Sequence, residues 1–227
     1  MKDFSIALDH KRRALLEEGV IMMDPSAVYV EETVNVAAGT LLLPGTILRG
    51  NTRIAANCTI GPNVMLTDCE VGESTVINAS QCEESVIGAH CEIGPYTHVR
   101  PHCVVGDGSK IGAFVQIKNS NLGKGTKMAH LTYVGDSDVG EDCNFGCGTI
   151  TCNYDGFKKH RATIGSHVFI GCNTNLVSPV SVGDGAFIAA ASTVTEDVPE
   201  DAFVIGRSRQ QVKEGRAAEN RKKNGKL

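Results

Sequence analysis

Aliphatic residues recur at every sixth position along most of this chain. An amphipathic helix would instead show apolar spacings of three and four, and a half-buried strand would alternate by two. Neither pattern fits, so the repeat of six residues is the feature that predicts the fold. The recurring positions, between which the register slips by one residue and resumes, are Val30, Val36, Leu42, Leu48, Ile54, Ile60, Leu66, Ile87, Ile93, Val99, Val105, Ile111, Ile117, Leu122, Met128, Val134, Val139, Phe145, Ile164, Ile170, Leu176, Val182, Ile188 and Val194.

Two further positions of each hexad are regular. The residue two before each aliphatic is small or β-branched, as at Thr46 and Ser109, which marks a second inward position. The residue after the aliphatic is often glycine, as at Gly106 and Gly171, which suits a corner that needs a positive φ or has no room for a Cβ. Three hexads make one triangular coil of 18 residues, and stacked coils bury one another's aliphatic side chains. We therefore predict an all-β fold, a parallel β-helix of roughly nine coils.

The N-terminal segment falls outside the repeat and reads as a short helix. We expect it over residues 3–18, with Asp3 as its N-cap, an ion pair from Asp9 to Arg13, and Gly19 at its end. This segment, residues 1–20, is treated as separate from the β-helix.

A loop and a tail complete the predicted organisation. The β-helix domain covers residues 21–206 and is interrupted by a polar loop over residues 152–163, and loops held by a rigid scaffold often carry function. Residues 207–227 carry eight Lys or Arg against two Glu, so we expect an irregular basic C-terminal tail.

Composition limits the class of protein. An apolar fraction of 41% and a mean hydropathy of −0.08 indicate a folded chain. No apolar stretch approaches the ~20 residues that span a bilayer, and the N-terminus is unlike a signal peptide, so we expect a cytoplasmic protein without membrane insertion.

The cysteines are expected to be packing residues. Their number, nine, is odd and no pair has the C-x-x-C spacing, which favours reduced thiols over disulfides or a metal site. A free cysteine at a small inward position behaves as a compact hydrophobe. The cysteines at that position are Cys58, Cys69, Cys91, Cys103 and Cys143.

Residues that could support chemistry are concentrated between positions 96 and 160. Arg100 and Lys118 are 18 residues apart, which is one coil, so we expect them to stack on one edge as a phosphate-binding pair. His130 follows two hexads later and should lie near the same groove. An imidazole can accept a proton from an attacking amine near neutral pH.

A string of motifs is more specific than the repeat. YTHVRP, HLTYVGD, NFGCGTITCNYDG and VIGR, within residues 20–210, resemble the C-terminal acetyltransferase domain of the bifunctional N-acetylglucosamine-1-phosphate uridylyltransferase/glucosamine-1-phosphate acetyltransferase, a hexapeptide-repeat family. The resemblance implies left-handed coils and a homotrimer of parallel prisms with its sites in the clefts. It also implies acetyl-CoA-dependent N-acetylation of glucosamine 1-phosphate, a step towards UDP-N-acetylglucosamine and peptidoglycan.

The resemblance also implies roles for individual residues. His130 would be the general base that takes a proton from the 2-amino group, and a backbone amide or Asn153 would stabilise the oxyanion. The residues implied to hold the sugar phosphate are Arg100, Lys118, Tyr133, Asn144 and Lys159. Those implied to contact coenzyme A are Cys147, Asn153, Tyr154, Cys172, Ala190 and Arg207.

The chain departs from the family pattern at a few of these positions. Cys147 and Cys172 stand where the family usually has small alanine and serine residues, so contacts there could be made by the backbone alone. Ala129 replaces the usual glycine before His130, which bears on the fit of the sugar. These departures affect details of the substrate more than the chemistry.

Other functions remain open on the sequence. The same fold could act on another amino sugar or nucleotide sugar, or serve as a non-catalytic partner of a separate uridylyltransferase. A zinc enzyme of the γ-carbonic anhydrase type would need His98, His102 and His130, but the spacing of the first two is not that family's. We expect no resident metal and no nucleic-acid partner. We also expect no uridylyl transfer, because the family's nucleotide-binding domain has no counterpart here.

Overall fold

The chain folds into a three-sided prism of stacked coils. A computed structural model describes the backbone of residues 2–226 and the side chains of residues 8–226. In that part of the chain, 30 short parallel strands form three sheets, and each strand pairs with the strand three positions later in all but the terminal coils. This is the predicted left-handed parallel β-helix. Each coil contributes one strand to the second sheet, which has ten strands, so there are about ten coils rather than the roughly nine expected from the hexads.

The sheets are numbered in the order in which the chain first visits them. Sheet 1 contains β1 (Ile21–Met22), β4 (Leu41–Leu42), β7 (Thr59–Ile60), β10 (Val76–Ile77), β13 (Glu92–Ile93), β16 (Lys110–Ala113), β19 (Lys127–His130), β22 (Asn144–Phe145), β25 (Phe169–Ile170), β28 (Phe187–Ile188) and β30 (Phe203–Val204). Sheet 2 contains β2 (Tyr29–Val30), β5 (Ile47–Arg49), β8 (Met65–Thr67), β11 (Gln81–Glu83), β14 (His98–Val99), β17 (Gln116–Lys118), β20 (Tyr133–Gly135), β23 (Ile150–Cys152), β26 (Asn175–Val177) and β29 (Thr193–Val194). Sheet 3 contains β3 (Asn35–Val36), β6 (Arg53–Ile54), β9 (Glu70–Val71), β12 (Val86–Ile87), β15 (Val104–Val105), β18 (Asn121–Leu122), β21 (Ser137–Val139), β24 (Ala162–Ile164) and β27 (Val180–Val182).

The core is the interior of the prism, and it consists of the predicted periodic residues. Every predicted aliphatic position is buried, with at most 6% of its surface exposed. The stacked inward-pointing aliphatic residues, which we call the ladder, continue through Val71, Ile77 and Cys82 in the stretch that the hexad pattern skipped. Some sides of the prism are one residue shorter there. Cys82 therefore occupies an aliphatic position and is fully buried.

The five cysteines predicted to pack inward are buried as expected. Burial is the main cause that raises the pKa of each thiol, and it raises the pKa of Cys69 to about 11. These thiols therefore stay protonated and unreactive at neutral pH.

Most glycines after the ladder residues are required for space rather than for a positive φ. A Cβ at Gly171 would lie 2.4 Å from the backbone nitrogen of Ala190 in the next coil. The left-handed corner residues come two positions later, and along one corner they include the bulky Tyr96, Phe114 and Leu131.

The N-terminal helix α1 (Lys2–Glu17) covers the first coil. Leu15 is buried against the prism, and Gly19 ends the helix at φ +91°, as expected. The predicted pair of Asp9 with Arg13 is wrong, because Arg12 makes the contact with Asp9 at 2.6 Å. Arg12 points inward, where its guanidinium also donates to the carbonyl oxygens of Pro25 and Val28. The predicted Asp3 cap falls outside the described side chains.

The C-terminal tail is more regular than predicted. Helix α2 (Arg216–Lys223) lies within the segment expected to be irregular. Alanine at two positions and an ion pair from Arg216 to Glu219 at 3.3 Å favour this helix. None of its residues is buried. In the described part of the chain, neither helix is long and apolar enough to cross a membrane.

Candidate active site

His130 lies at the corner between sheets 1 and 2, which we call edge A. It is the last residue of β19, it pairs with Ala113 of β16, and its side chain is exposed. Its backbone carbonyl accepts a hydrogen bond from the hydroxyl of Thr132 at 2.8 Å. Among the described side chains none hydrogen-bonds to the imidazole, which leaves both ring nitrogens available to a ligand.

Three residues implied to contact coenzyme A continue the line of His130 along edge A. Cys147, Cys172 and Ala190 each come two residues after the ladder position of the next coils, and the register of the paired strands places them one above another. Backbone hydrogen bonds of 2.7 Å, from Asn173 to the carbonyl of Cys147 and from Ala191 to that of Cys172, join these coils. Edge A is therefore a straight line of small side chains that starts at His130.

Arg207 lies at the far end of the same edge. It follows β30, the last strand of sheet 1, and it is exposed. The basic tail begins at this point.

Arg100 and Lys118 stack at the corner between sheets 2 and 3, which we call edge B. The pairing of Val99 with Ile117 puts the two cations on adjacent coils, as the spacing of one coil predicts. Lys159, from the loop, is close enough to Lys118 that the neighbouring ammonium lowers the pKa of Lys159, with a smaller contribution from the charge of Arg100. Three cations therefore meet at edge B.

A buried carboxylate that the sequence analysis missed organises this cluster. Asp136 is 6% exposed and accepts hydrogen bonds from Lys118 Nζ at 3.0 Å, from Asn119 Nδ2 at 2.6 Å and from Asn153 Nδ2. Burial opposes its ionisation, but the three hydrogen bonds and the charge of Lys118 together outweigh burial and hold the pKa of Asp136 below its usual value. The only signal in the sequence was its place in the HLTYVGD motif.

The same network fixes the base of the loop. Asn153 is buried, and its side-chain amide donates to the hydroxyl of Tyr133 at 3.5 Å as well as to Asp136. The backbone nitrogen of Ala162, where the chain re-enters sheet 3, donates to the carbonyl of Asp136 at 3.0 Å. One residue thus holds both ends of the loop and one of the cations.

The loop itself is a short hairpin closed by Asp155. Its carboxylate accepts from the backbone nitrogens of Phe157 and Lys158 and contacts His160 Nε2 at 2.6 Å, and these bonds lower the pKa of Asp155 to about 2. Tyr154 is 60% exposed, and its hydroxyl donates to the carbonyl of Gly156 rather than to the cluster.

The structure does not bring all the expected residues together in one chain. Arg100, Lys118, Tyr133 and Lys159 share edge B or the adjoining strand of sheet 2. Asn144 is on sheet 1, where it pairs with Lys127 and Phe169. His130 stands between these groups, at the opposite edge of sheet 2 from the cations.

The histidines considered for zinc are also spread over the prism. His98 is on the face of sheet 2, where its Nδ1 lies 3.4 Å from Gln116 Nε2, while His102 occupies a left-handed corner at edge B. Among the described residues no three His, Cys, Asp or Glu side chains are grouped so that they could hold a metal.

Two grooves lie in the N-terminal half of the prism, away from these residues. One of about 830 Å³ separates α1 from sheet 3 and is lined by Lys11, Leu15 and Arg53 among others. The other, of about 520 Å³, is lined by Leu8, Tyr29 and neighbouring residues. Neither contains His130 or the cations, which lie on open edges.

Comparisons with known proteins agree with this architecture. Residues 84–119 and 161–196 match the family described as bacterial transferase hexapeptide (six repeats). The bifunctional protein GlmU of Geobacillus sp. (strain WCH70) is 47% identical over 202 residues, which is 89% of this chain and 44% of that protein. The GlmU protein of Thermoanaerobacter pseudethanolicus is 49% identical over 92% of this chain and 46% of its own length. The chain thus spans less than half the length of these two curated relatives.

Solved structures show the same fold at lower identity. The UDP-N-acetylglucosamine acyltransferase of Francisella novicida aligns with a TM-score of 0.53 and 20% identity over 81% of this chain and 66% of that one. That of Campylobacter jejuni aligns with a TM-score of 0.50 and 16% identity over 80% of this chain and 70% of that one.

Proposed function

Because the chain belongs to the bacterial transferase hexapeptide family and is homologous to about half of each GlmU protein it matches, we propose that it is an acetyltransferase. The donor is acetyl-CoA, and the acceptor is the 2-amino group of glucosamine 1-phosphate. The product, N-acetylglucosamine 1-phosphate, serves the synthesis of UDP-N-acetylglucosamine and peptidoglycan. The observation that carries this proposal is the meeting of three cations on edge B, across one sheet from an exposed histidine with free ring nitrogens.

The cation cluster is suited to the phosphate of the acceptor. The guanidinium of Arg100 can bind two phosphate oxygens at once, and lysine ammonium groups add point charges. The pKa of Lys159 is lowered by the neighbouring ammonium of Lys118. A bound phosphate relieves that repulsion, so the free cluster favours an anion electrostatically.

Edge A is suited to the donor. Coils stack about 4.8 Å apart, so the small residues from Cys147 to Ala190 form a shallow track on which an extended thioester arm can lie. Arg207 and the basic tail stand at the far end of that track, where phosphate groups of coenzyme A would be attracted. His130 stands at the near end, where the acetyl group would be held.

The reaction is a direct transfer. His130 accepts a proton as the amino nitrogen attacks the thioester carbonyl and forms the new carbon–nitrogen bond. The carbon–sulfur bond then breaks, and coenzyme A leaves as its thiol after protonation. The side-chain amide of Asn153 donates to Asp136 and Tyr133, so we assign the oxyanion to a backbone N–H instead.

The positions of Asn144 and the cations support a homotrimer. Asn144 points out from sheet 1 and Lys118 from the far end of sheet 2, so one prism cannot present both to the same small molecule. A site that uses both requires sheet 1 of one copy to face sheet 2 of another. The acceptor would then bind in a cleft between copies.

The test is release of free coenzyme A from acetyl-CoA in the presence of glucosamine 1-phosphate. We expect turnover by the wild-type chain and its loss in His130→Ala, with unchanged thermal stability because His130 is exposed. His167→Ala removes another exposed histidine, outside edge A, and should keep full activity.

Two results would change the proposal. Activity only with another amino sugar or nucleotide sugar would replace the acceptor. A folded wild-type chain that is inactive with every such sugar would favour the non-catalytic alternative.

A further inference from the structure

Two of the three cysteines that are not buried in the core lie next to each other on edge A. Six of the nine are buried inside the prism, whereas Cys147 and Cys152 are half-buried and Cys172 is exposed. Cys147 and Cys172 stand on edge A, immediately after His130 in the line of stacked residues.

The two residues are direct neighbours on successive coils. Phe145 pairs with Ile170, so the residues two positions later are in register. A hydrogen bond of 2.7 Å from Asn173 to the carbonyl of Cys147 joins the coils at this point, and a Cβ on Gly146 would lie 2.8 Å from the Cα of Cys172. Stacked strands lie about 4.8 Å apart, which is within the Cα separation of about 4.4–6.8 Å found in disulfides.

Equivalent residues on the third edge, between sheets 3 and 1, show where such a side chain points. Asp107 and Asp184 each come two residues after a ladder position, as Cys172 does. The carboxylate of Asp107 reaches back to the backbone nitrogen of Ala89 at 2.8 Å, and that of Asp184 reaches back to Ser166 at 2.7 Å. A side chain at Cys172 that takes the same direction reaches back towards Cys147 in the preceding coil.

We propose that Cys147 and Cys172 form a reversible disulfide across edge A, and that this bond closes the track between His130 and Ala190. A low-molecular-weight disulfide such as oxidised glutathione is a sufficient oxidant. The exposed thiolate of Cys172 attacks one sulfur of that disulfide and releases one glutathione thiol. Cys147 then loses its proton and attacks the mixed disulfide, which releases the second glutathione and leaves the intramolecular bond.

The other thiols do not compete for this bond. Six are enclosed in the core, and Cys152 is in register with Val177 at edge B, without a cysteine beside it. Burial also raises the pKa of the Cys152 thiol, which makes it a poorer nucleophile.

The bond itself can be tested without any assay of activity. The native protein is incubated with oxidised glutathione, its free thiols are counted, and the digested protein is analysed by mass spectrometry. We expect loss of two of the nine thiols, a peptide pair linked through Cys147 and Cys172, and return of both thiols with dithiothreitol. Cys172→Ser should abolish the linked pair, whereas the matched variant Cys152→Ser should keep it.

The consequence for the reaction rests on the proposed function and is measured separately. Oxidised wild type should lose most of its turnover of acetyl-CoA and regain it on reduction, while Cys172→Ser should show no difference between the two treatments. Failure of the linked pair to form in the folded protein would overturn the proposal. A reversible disulfide in a protein that acetylates no sugar would leave the thiol pair standing and reject only the proposed function.

Discussion

At the residue scale, the charge of a single buried carboxylate decides how the cations of edge B are arranged. Burial is the largest single effect on Lys118 and works against its charge, but the interactions with Asp136, Lys159 and Tyr133 together outweigh it and raise the pKa of Lys118. Asp136 in turn stays ionised because three side chains donate to it. The cluster is therefore a mutually stabilised set, and removal of the carboxylate should disturb all of it.

Asp136→Asn should lower the free energy of unfolding by about 2 kcal/mol near neutral pH, because hydrogen bonds to a buried charged group are lost. The folded pKa of Asp136 lies below its unfolded value. Its contribution is thus complete above the unfolded pKa of ~3.9 and falls as pH drops through the folded value. Urea unfolding measured from pH 7 to pH 3 should therefore show the two proteins converging in acid.

Asp142→Asn is the matched control for that measurement. Asp142 also occupies a left-handed corner, at φ 52°, but it is exposed. It should change stability little at any pH. Equal losses in both variants would mean that the corner conformation, and not the buried network, is responsible.

Lys159 should take up protons when a phosphate binds. Its pKa is lowered in the free protein by the ammonium of Lys118, and a bound anion would raise it again. Titration calorimetry with glucosamine 1-phosphate, in alkaline buffers of different ionisation enthalpy, should show net proton uptake by the wild type. The uptake should be smaller in Lys159→Gln, and equal uptake in the two proteins would contradict the assignment.

At the scale of the coil, the spacing between turns leaves no room for side chains at one set of corners. Gly106 and Gly108 are in the same turn but differ in this respect. A Cβ at Gly106 would lie 2.5 Å from the backbone nitrogen of Lys124, whereas a Cβ at Gly108, at φ +68°, would meet no atom within 4 Å. The pair separates the effect of space from that of backbone conformation.

Gly106→Ala should destabilise the protein by roughly 3 kcal/mol, because two backbones must move apart. Gly108→Ala should cost only about 1 kcal/mol, from the left-handed conformation. Equilibrium denaturation of the two variants beside the wild type checks this order. A larger loss in Gly108→Ala would show that φ, rather than contact between coils, limits these corners.

At the scale of the whole molecule, the division of expected substrate residues between two faces makes a specific claim about assembly. Asn144 and Lys118 can serve one acceptor only if they come from different chains. Mixing two inactive variants tests this directly, because some clefts of a mixed trimer receive both intact residues.

Asn144→Ala and Lys118→Ala should each be weakly active alone and should recover part of the wild-type turnover after they are unfolded together and refolded. Each variant unfolded and refolded alone measures the background. Light scattering should give three times the chain mass of 24.1 kDa. No recovery from an exchanged trimer would place both residues in sites within single chains, and a monomer would exclude the shared cleft.

The fold was predictable from the sequence because a solenoid repeats one local rule. Each coil contacts only its neighbours, so the period of six residues and the small inward positions are enough to specify sheets, register and core. The pattern was less informative where that rule is broken. Cys82 did not look like a ladder residue, and Arg12 rather than Arg13 met Asp9, because the direction of a helical side chain depends on which carbonyls the first coil presents.

The candidate site was only partly predictable. Stacking of Arg100 on Lys118 followed from their spacing of one coil, and the line of His130, Cys147 and Cys172 follows the same rule once the register is known. Asp136 could not be recognised, because its partners Asn119 and Asn153 come from other coils and a buried carboxylate is stable only where such donors meet. The sequence by itself thus determined the prism and the order of residues along each edge. Only the tertiary structure showed which corner each residue occupies and which charges face one another. Both depend on where a side of the prism is one residue shorter.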